Sequence, residues 1–323
     1  MVKKRINLLR EFSVPLLAGV VTALVWANYA PEEYHYFLHN HFLGPLSFHF
    51  LTNDIFMVFF FGIAAVEITQ SFLPGGDLNP VKKAVNPLMA TLGGVIGPAF
   101  VYLALNHFIG SAELLRGWGI PTATDIAFAW LTARTVFGVD HPAISFLLLL
   151  AVADDGIGLA IIAVFYPDPL LPVAPLWLFL TIGGMLAAYA LRKLQAASYW
   201  PYVLLGGGLS WAGLFKAHLH PALALVFIIP FLPHAKKEKK HLFEEDMADR
   251  SSIARFEHEW KIIVDFGLFM FGLANAGVEF SRIGTATLLV VAALLAGKTV
   301  GIFSLGVLAE KLVGEPEAVI AKL

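Results

Sequence analysis

Apolar runs long enough to cross a bilayer recur along almost the whole chain, separated by short polar breaks. A helix of about 20 apolar residues spans a hydrocarbon core about 30 Å thick. On that measure the pattern predicts roughly ten spans, at 12–29, 52–73, 85–107, 118–133, 143–166, 172–191, 200–214, 217–233, 259–278 and 285–309. The seventh and eighth are the weakest, because Trp211, Lys216, His218 and His220 crowd their junction. The expected fold class is an all-α polytopic membrane protein. A single transmembrane domain would occupy 1–323, with the polar stretch 234–258 as a loop inside it.

Composition agrees, with 58% hydrophobic and 14% charged residues among 323. The distribution of charge says more than the net value of −2. With the N-terminus inside, 18 of the 22 Lys and Arg residues fall on the inner side, including Lys3, Lys4, Arg5, Arg10, Lys82, Lys83, Arg134, Arg192 and Lys193. Only Arg116, Lys216 and Arg282 fall outside, and Lys298 is left within a span. The positive-inside rule therefore predicts a cytoplasmic N-terminus. No small-residue cleavage site follows MVKKRINLLREF, so the first span reads as a retained helix rather than a signal peptide. There is no Cys, which removes disulfides and thiolate metal sites. His234 to Lys261 carries mixed charge and reads as a solvated inner loop with a short helix.

Against this apolar background a few ionisable residues stand out. Asp155 is the central residue of the run from Ile144 to Tyr166, so a helix places it roughly 16 Å from either end. A charge at that depth is costly and marks an ion or proton pathway by default. Asp154 and Asp155 lie about 100° apart around a helix, so one can face such a pathway while the other meets a fixed partner. Lys298, central in its own span, is the obvious partner, since intramembrane charges pair with one another. The plainer alternative for Lys298 is an ammonium that only neutralises helix C-termini. Asp125 follows Pro121, Thr122 and Thr124 near the middle of its span, which predicts a broken or unwound helix. A carboxylate, freed carbonyls and the Thr124 hydroxyl would suit a small hard cation. Equally, Asp125 could cap the second half-helix.

Other polar residues sit nearer the span ends. Glu67, close to the inner end of its span, reads as a mouth or gate residue, and Asp54 near the outer end as facing water. His220, Glu257 and His258 lie at span ends, where an imidazole titrating near neutral pH is either a sensor or merely structural. The glycines of ATLGGVIG and LLGGGLSWAG fit close helix approach. They are not phosphate loops, because no strand precedes them and no Lys follows at the required spacing.

The segments PTATDIAFAW, AVADDGIGLAIIAVFY, FGLANAGVEF and LLAGKTVGIF, in that order, resemble the signature segments of NhaA-type Na+/H+ antiporters. TNDIFMVFFFGIAAVE and PLMATLGGVIGPAFVYLALN are similar to the family's second and third helices, so the resemblance covers nearly the whole chain. That family is itself a type example of inverted-repeat transporters built on broken helices.

The resemblance implies a set of roles. Asp155 would be the principal Na+- and H+-binding carboxylate, with Asp154 completing the Na+ site and partnering Lys298. Thr124 and Asp125 would mark the break of the crossing helix, and Glu67, His220, Glu257 and His258 would serve pH response and the cytoplasmic funnel. It further implies a multi-pass bacterial inner-membrane protein that exchanges cytoplasmic Na+ or Li+ for external H+ in sodium and pH homeostasis. Such a protein works in a lipid bilayer without a cofactor, with no nucleic-acid partner, and as a potential homodimer. Enzyme activity is not implied.

Three departures from the family pattern carry expectations of their own. No span follows 285–309, whereas the family has two more helices, so the second repeat is expected to be incomplete. Glu67 is followed by ITQSF in place of a charged run. The connection from Glu32 to Thr52 shows no clear strand–turn–strand pattern, so the family's hairpin is not legible there. Two transporter-level rivals remain. One is a Na+-coupled organic-anion carrier of the same architecture, disfavoured by so acidic a site; the other is a shortened, non-transporting remnant. An aspartyl protease built on Asp125 and Asp155 fits poorly, because the order here is Asp-Asp-Gly-Ile-Gly.

Overall fold

The computed structural model describes residues 13–43, 46–74, 79, 82–122, 172–233 and 251–313, together with 136, 146–147, 150, 153–154, 157–158, 161 and 165–166. In chain order the elements are α1 (Ser13–Tyr29), α2 (Pro31–His39), strands β1 (His41–Leu43) and β2 (Leu46–Ser47), and α3 (Met57–Phe72). Then come α4 (Lys82–Ile109), α5 (Leu178–Lys193), α6 (Gly208–Lys216), α7 (Ser252–Asn275), α8 (Thr285–Ala292) and α9 (Thr299–Val313). Wider π-helical turns lead into three of these: Leu51–Phe56 into α3, Tyr202–Gly207 into α6, and Ala293–Lys298 between α8 and α9.

Among the described residues, four stretches are long and apolar enough to cross a membrane: Phe48–Gln70, Ala84–Ile109, Pro175–Lys193 and Thr285–Leu312. Their outward faces carry exposed Phe100, Ile182, Leu186, Leu288, Leu295 and Phe303. Continuous apolar exposure of that kind suits lipid rather than water. Regular helices also cover most of the predicted spans at 12–29, 85–107 and 259–278.

Two regions differ from the sequence pattern. The connection 32–52 does form a hairpin, with β1 antiparallel to β2 and His41 opposite Ser47. At three and two residues its strands are too short to show the alternation that betrays a strand. The stretch 217–233, expected as a continuous helix, is instead a succession of tight turns around 3-10 segments Pro221–Leu223 and Ile229–Phe231. Pro221 and Pro230 each lack an amide hydrogen, and the backbone bonds that remain run mostly from residue i to i−3.

The chain divides into two compact units, Met1–Gln70 with Pro167–Glu279, and Ser71–Tyr166 with Phe280–Leu323. In the first, α1 lies along α7. A Cβ on Gly19 would fall 2.2 Å from the Phe269 carbonyl oxygen, so the two backbones touch. α2 packs over one end of this pair, burying Tyr34 and Leu38 with Ala23, Ala27, Leu273 and Ala274. Tyr34 donates to the Leu273 carbonyl at 2.6 Å. In the second unit α4 crosses the α8–α9 helix through two facing Gly-x-x-x-Gly stripes. Added Cβ atoms at Gly93 and Gly97 would lie 2.0 Å and 2.1 Å from the carbonyl oxygens of Gly301 and Gly297. Small residues at that spacing let helices associate in lipid, where hydrophobic driving force between them is absent.

Candidate functional site

Lys298 ends the π-helical turn Ala293–Lys298 and is 8% exposed. Insertions of this kind recur at functional sites because they re-aim a side chain within a helix. The glycine crossing brings α4 so close that Gly94 has only hydrogen beside the Lys298 stem, an added Cβ there lying 3.7 Å from Cε. The ammonium donates to Asp154 Oδ2 at 2.5 Å and to the Thr122 carbonyl oxygen at 2.7 Å. Asp154 itself is fully buried. A buried ammonium without acceptors would be costly, and here a carboxylate and a carbonyl share it.

The Thr122 carbonyl is held in place by its own segment. Ala112–Thr122 is a 3-10 helix ending at Thr122, whose hydroxyl donates to the Gly119 carbonyl at 2.7 Å. Tyr102 of α4 donates to the Leu114 carbonyl at 2.8 Å. Tyr166 accepts from the Gly119 amide at 2.8 Å and donates to the Arg116 carbonyl. Aromatic hydroxyls from two sides thus fix a peptide segment whose last carbonyl faces the lysine. Such an arrangement stores a charge pair in a low-dielectric interior, where a change of charge on either member is strongly felt by the other.

Of the residues expected at the site, the structure brings together Asp154 and Lys298. Thr124, Asp125 and Asp155 lie outside the described residues, as does the Glu67 side chain, although Glu67 belongs to α3. The remaining three lie in the first unit and do not share one place. Glu257, half-buried near the start of α7, accepts from Gln70 Nε2 at 3.5 Å, and its neighbour His258 is exposed. His220 precedes the 3-10 turn Pro221–Leu223 and is an electrostatic neighbour of Asp54, as is His49.

Three polar features escaped the sequence reading. The Thr122 carbonyl is one; its signal was present in PTATD, where a broken helix must leave carbonyls without helical partners. A second is the reciprocal pair Asn53–Asn275, bonded at 3.0 Å and 3.4 Å. The third is Asp265, a carboxylate inside the apolar KIIVDFGLFMF of α7 and legible there as an intramembrane charge.

Comparison with known sequences gives the family. The family profile described as Na+/H+ antiporter 1 matches residues 6–317. The protein named Na(+)/H(+) antiporter NhaA of Geotalea uraniireducens is 73% identical over 309 residues, 96% of this chain and 80% of that protein. The protein of the same name from Geobacter sulfurreducens is 72% identical over 304 residues, covering 94% and 80%. That of Jannaschia sp. is 42% identical, covering 95% and 82%. Both the profile match and the breadth of these similarities make the chain a member of the Na+/H+ antiporter 1 family, a multi-pass membrane transporter rather than an enzyme.

Proposed function

We propose that the chain exchanges cytoplasmic Na+ or Li+ for external H+ across the bacterial inner membrane, with its N-terminus in the cytoplasm, supporting sodium and pH homeostasis. The observation that carries this reading is the buried Lys298–Asp154 pair with its second bond to the Thr122 carbonyl. Asp155, next in sequence to Asp154, is the carrier carboxylate, holding either a proton or a cation. Asp154 keeps the ammonium beside it. Burial favours the protonated carboxyl, whereas a nearby ammonium favours the carboxylate, and this opposition lets a cation and a proton compete for one site. Thr124 and Asp125, just beyond the carbonyl that Lys298 binds, belong to the break of a crossing helix in an inverted-repeat fold. Glu67, Glu257, His258 and His220 tune the response to pH from the ends of their helices. The whole lies in one transmembrane domain of about ten helices, and a homodimer is compatible with it.

The test is Asp155→Asn in sealed proteoliposomes, with Na+- and Li+-driven proton movement followed by a pH-sensitive dye. Exchange should fall to the level of empty vesicles while the variant keeps its unfolding temperature. Persisting exchange would refute the carrier role.

A further inference from the structure

Three histidines of the first unit stack in a row: His35 on His39, and His39 on His49. His35 and His39 lie one turn apart on α2, and their rings face each other, with centroids 4.3 Å apart and planes 21° from parallel. Both residues are exposed. This i, i+4 spacing is the one by which two histidines on a helical face hold a zinc ion. A metal with bonds of about 2.0–2.1 Å to imidazole needs two ring nitrogens roughly 3 Å apart on the same side. Rings stacked at this distance already hold the two imidazoles side by side on one face of the helix.

Proton accounting points the same way. His39 Nδ1 lies 3.1 Å from the His35 carbonyl oxygen. A carbonyl only accepts, so Nδ1 carries the hydrogen and Nε2 keeps its lone pair. Metal-binding imidazoles are commonly oriented by such a bond from the other ring nitrogen. His49 stacks on His39 at 5.7 Å, but its Nε2 lies 3.0 Å from the Asn53 amide nitrogen. The exchange of bonds with Asn275 fixes which end of that amide faces the ring, so the lone pair of His49 Nε2 is already used. Among the described residues no three His, Cys, Asp or Glu side chains converge on one point.

The helix beneath is well anchored. Pro31 opens it, Glu32 and Glu33 occupy its first turn, and Tyr34 and Leu38 bury its opposite face. A preorganised support of this kind lowers the cost of bringing two ligands together.

We propose that His35 and His39 form a two-imidazole site for a divalent transition-metal ion of the Cu2+, Ni2+ or Zn2+ class, with water completing the coordination. Imidazole selects these ions over hard cations such as Na+, and Cu2+ binds most tightly of the three.

The experiment uses the full chain in detergent, purified without a polyhistidine tag, and titrates Cu2+ and Ni2+ by calorimetry, with electron paramagnetic resonance of the Cu2+ form. The expected result is a site whose Cu2+ spectrum shows two equatorial imidazole nitrogens. Loss of groups that only support metal ligands costs about 10- to 100-fold in affinity. Replacing both ligands, as in the His35→Gln/His39→Gln variant, should therefore weaken Cu2+ binding at least that much, while His49→Gln leaves it unchanged. Equal binding by the double variant and the parent chain would overturn the proposal. So would a spectrum without paired imidazole nitrogens, or an equal loss in His49→Gln. Because both residues are exposed, an unchanged thermal unfolding midpoint for the double variant separates lost binding from lost fold.

Discussion

Two buried polar arrangements, one in each unit, are built in opposite ways. In the second, a full positive charge meets a full negative charge: Lys298 and Asp154, 2.5 Å apart, with a carbonyl as the third member. In the first, neutral groups satisfy one another: the amides of Asn53 and Asn275, the imidazole of His49, and the Trp211 indole donating to the Asp54 carbonyl at 2.8 Å. Neutral amides in exchange carry no charge of their own, and each satisfies the other. A buried ion pair is electrostatically expensive and responds strongly to any change of charge nearby. The charge pair is therefore the arrangement whose energy depends on nearby ions, and the amide exchange the one whose energy does not.

The sharpest way to break this contrast is Lys298→Met. It leaves the Asp154 carboxylate without its ammonium and should cost about 3–5 kcal/mol in detergent thermal unfolding. Adding Asp154→Leu should recover much of that loss, since an apolar pair replaces a buried carboxylate that has lost its ammonium. A double variant no more stable than Lys298→Met alone would show that the pair is not energetically coupled.

Next in size is the glycine crossing that brings α4 to the lysine. Gly301→Val forces a side chain against the Gly93 carbonyl, where even a Cβ would sit at 2.0 Å. About 1–3 kcal/mol or more should be lost. Gly183→Ala is the control, because no atom lies within 4 Å of its added Cβ. In a helix interior that change should stabilise by roughly 0.5–1 kcal/mol. If both substitutions shift unfolding alike, the crossing is not a backbone contact.

In the first unit Asn275→Ala leaves the Asn53 amide without its exchange partner and should cost about 1–3 kcal/mol. Its signature is independence from ions: the loss should be the same with and without Na+. A Na+-dependent loss would remove the distinction between the units.

The smallest effect is a matter of pH. Tyr199 is buried and donates to the Glu259 carboxylate. Burial first, and then that hydrogen bond, push its phenol from 10.0 up to about 12. The fold favours the neutral phenol, so its contribution is whole below pH 10 and is lost as pH rises through about 12. Tyr199→Phe should flatten the decline in stability across that window. An unchanged slope would place its cause elsewhere.

Much of this was written in the pattern of residues. Apolar length alone located α1 and α4 to within three residues, and overlapped α5 and α7 with their starts six and seven residues off, because a helix crossing lipid needs a minimum apolar run. It did not find the hairpin at 41–47, whose strands are shorter than any period, nor the turns that replace a helix across 217–233. There Pro221 and Pro230 outweigh an otherwise helical apolar run.

The candidate site divides along the same line. Asp154 and Lys298 stand out in sequence because charge in an apolar span is expensive wherever the chain goes, so their significance follows from composition and position alone. Which atoms meet does not follow, since 144 residues separate the two. Their contact requires a π-helical turn that re-aims Lys298, glycines that let α4 approach, and tyrosines that fix the Thr122 carbonyl. By itself the sequence determined a helical membrane protein with a few charges inside apolar runs, because burial and hydration act on each residue separately. Only the tertiary structure decided their partners, because a hydrogen bond depends on distance and direction between groups far apart in the chain.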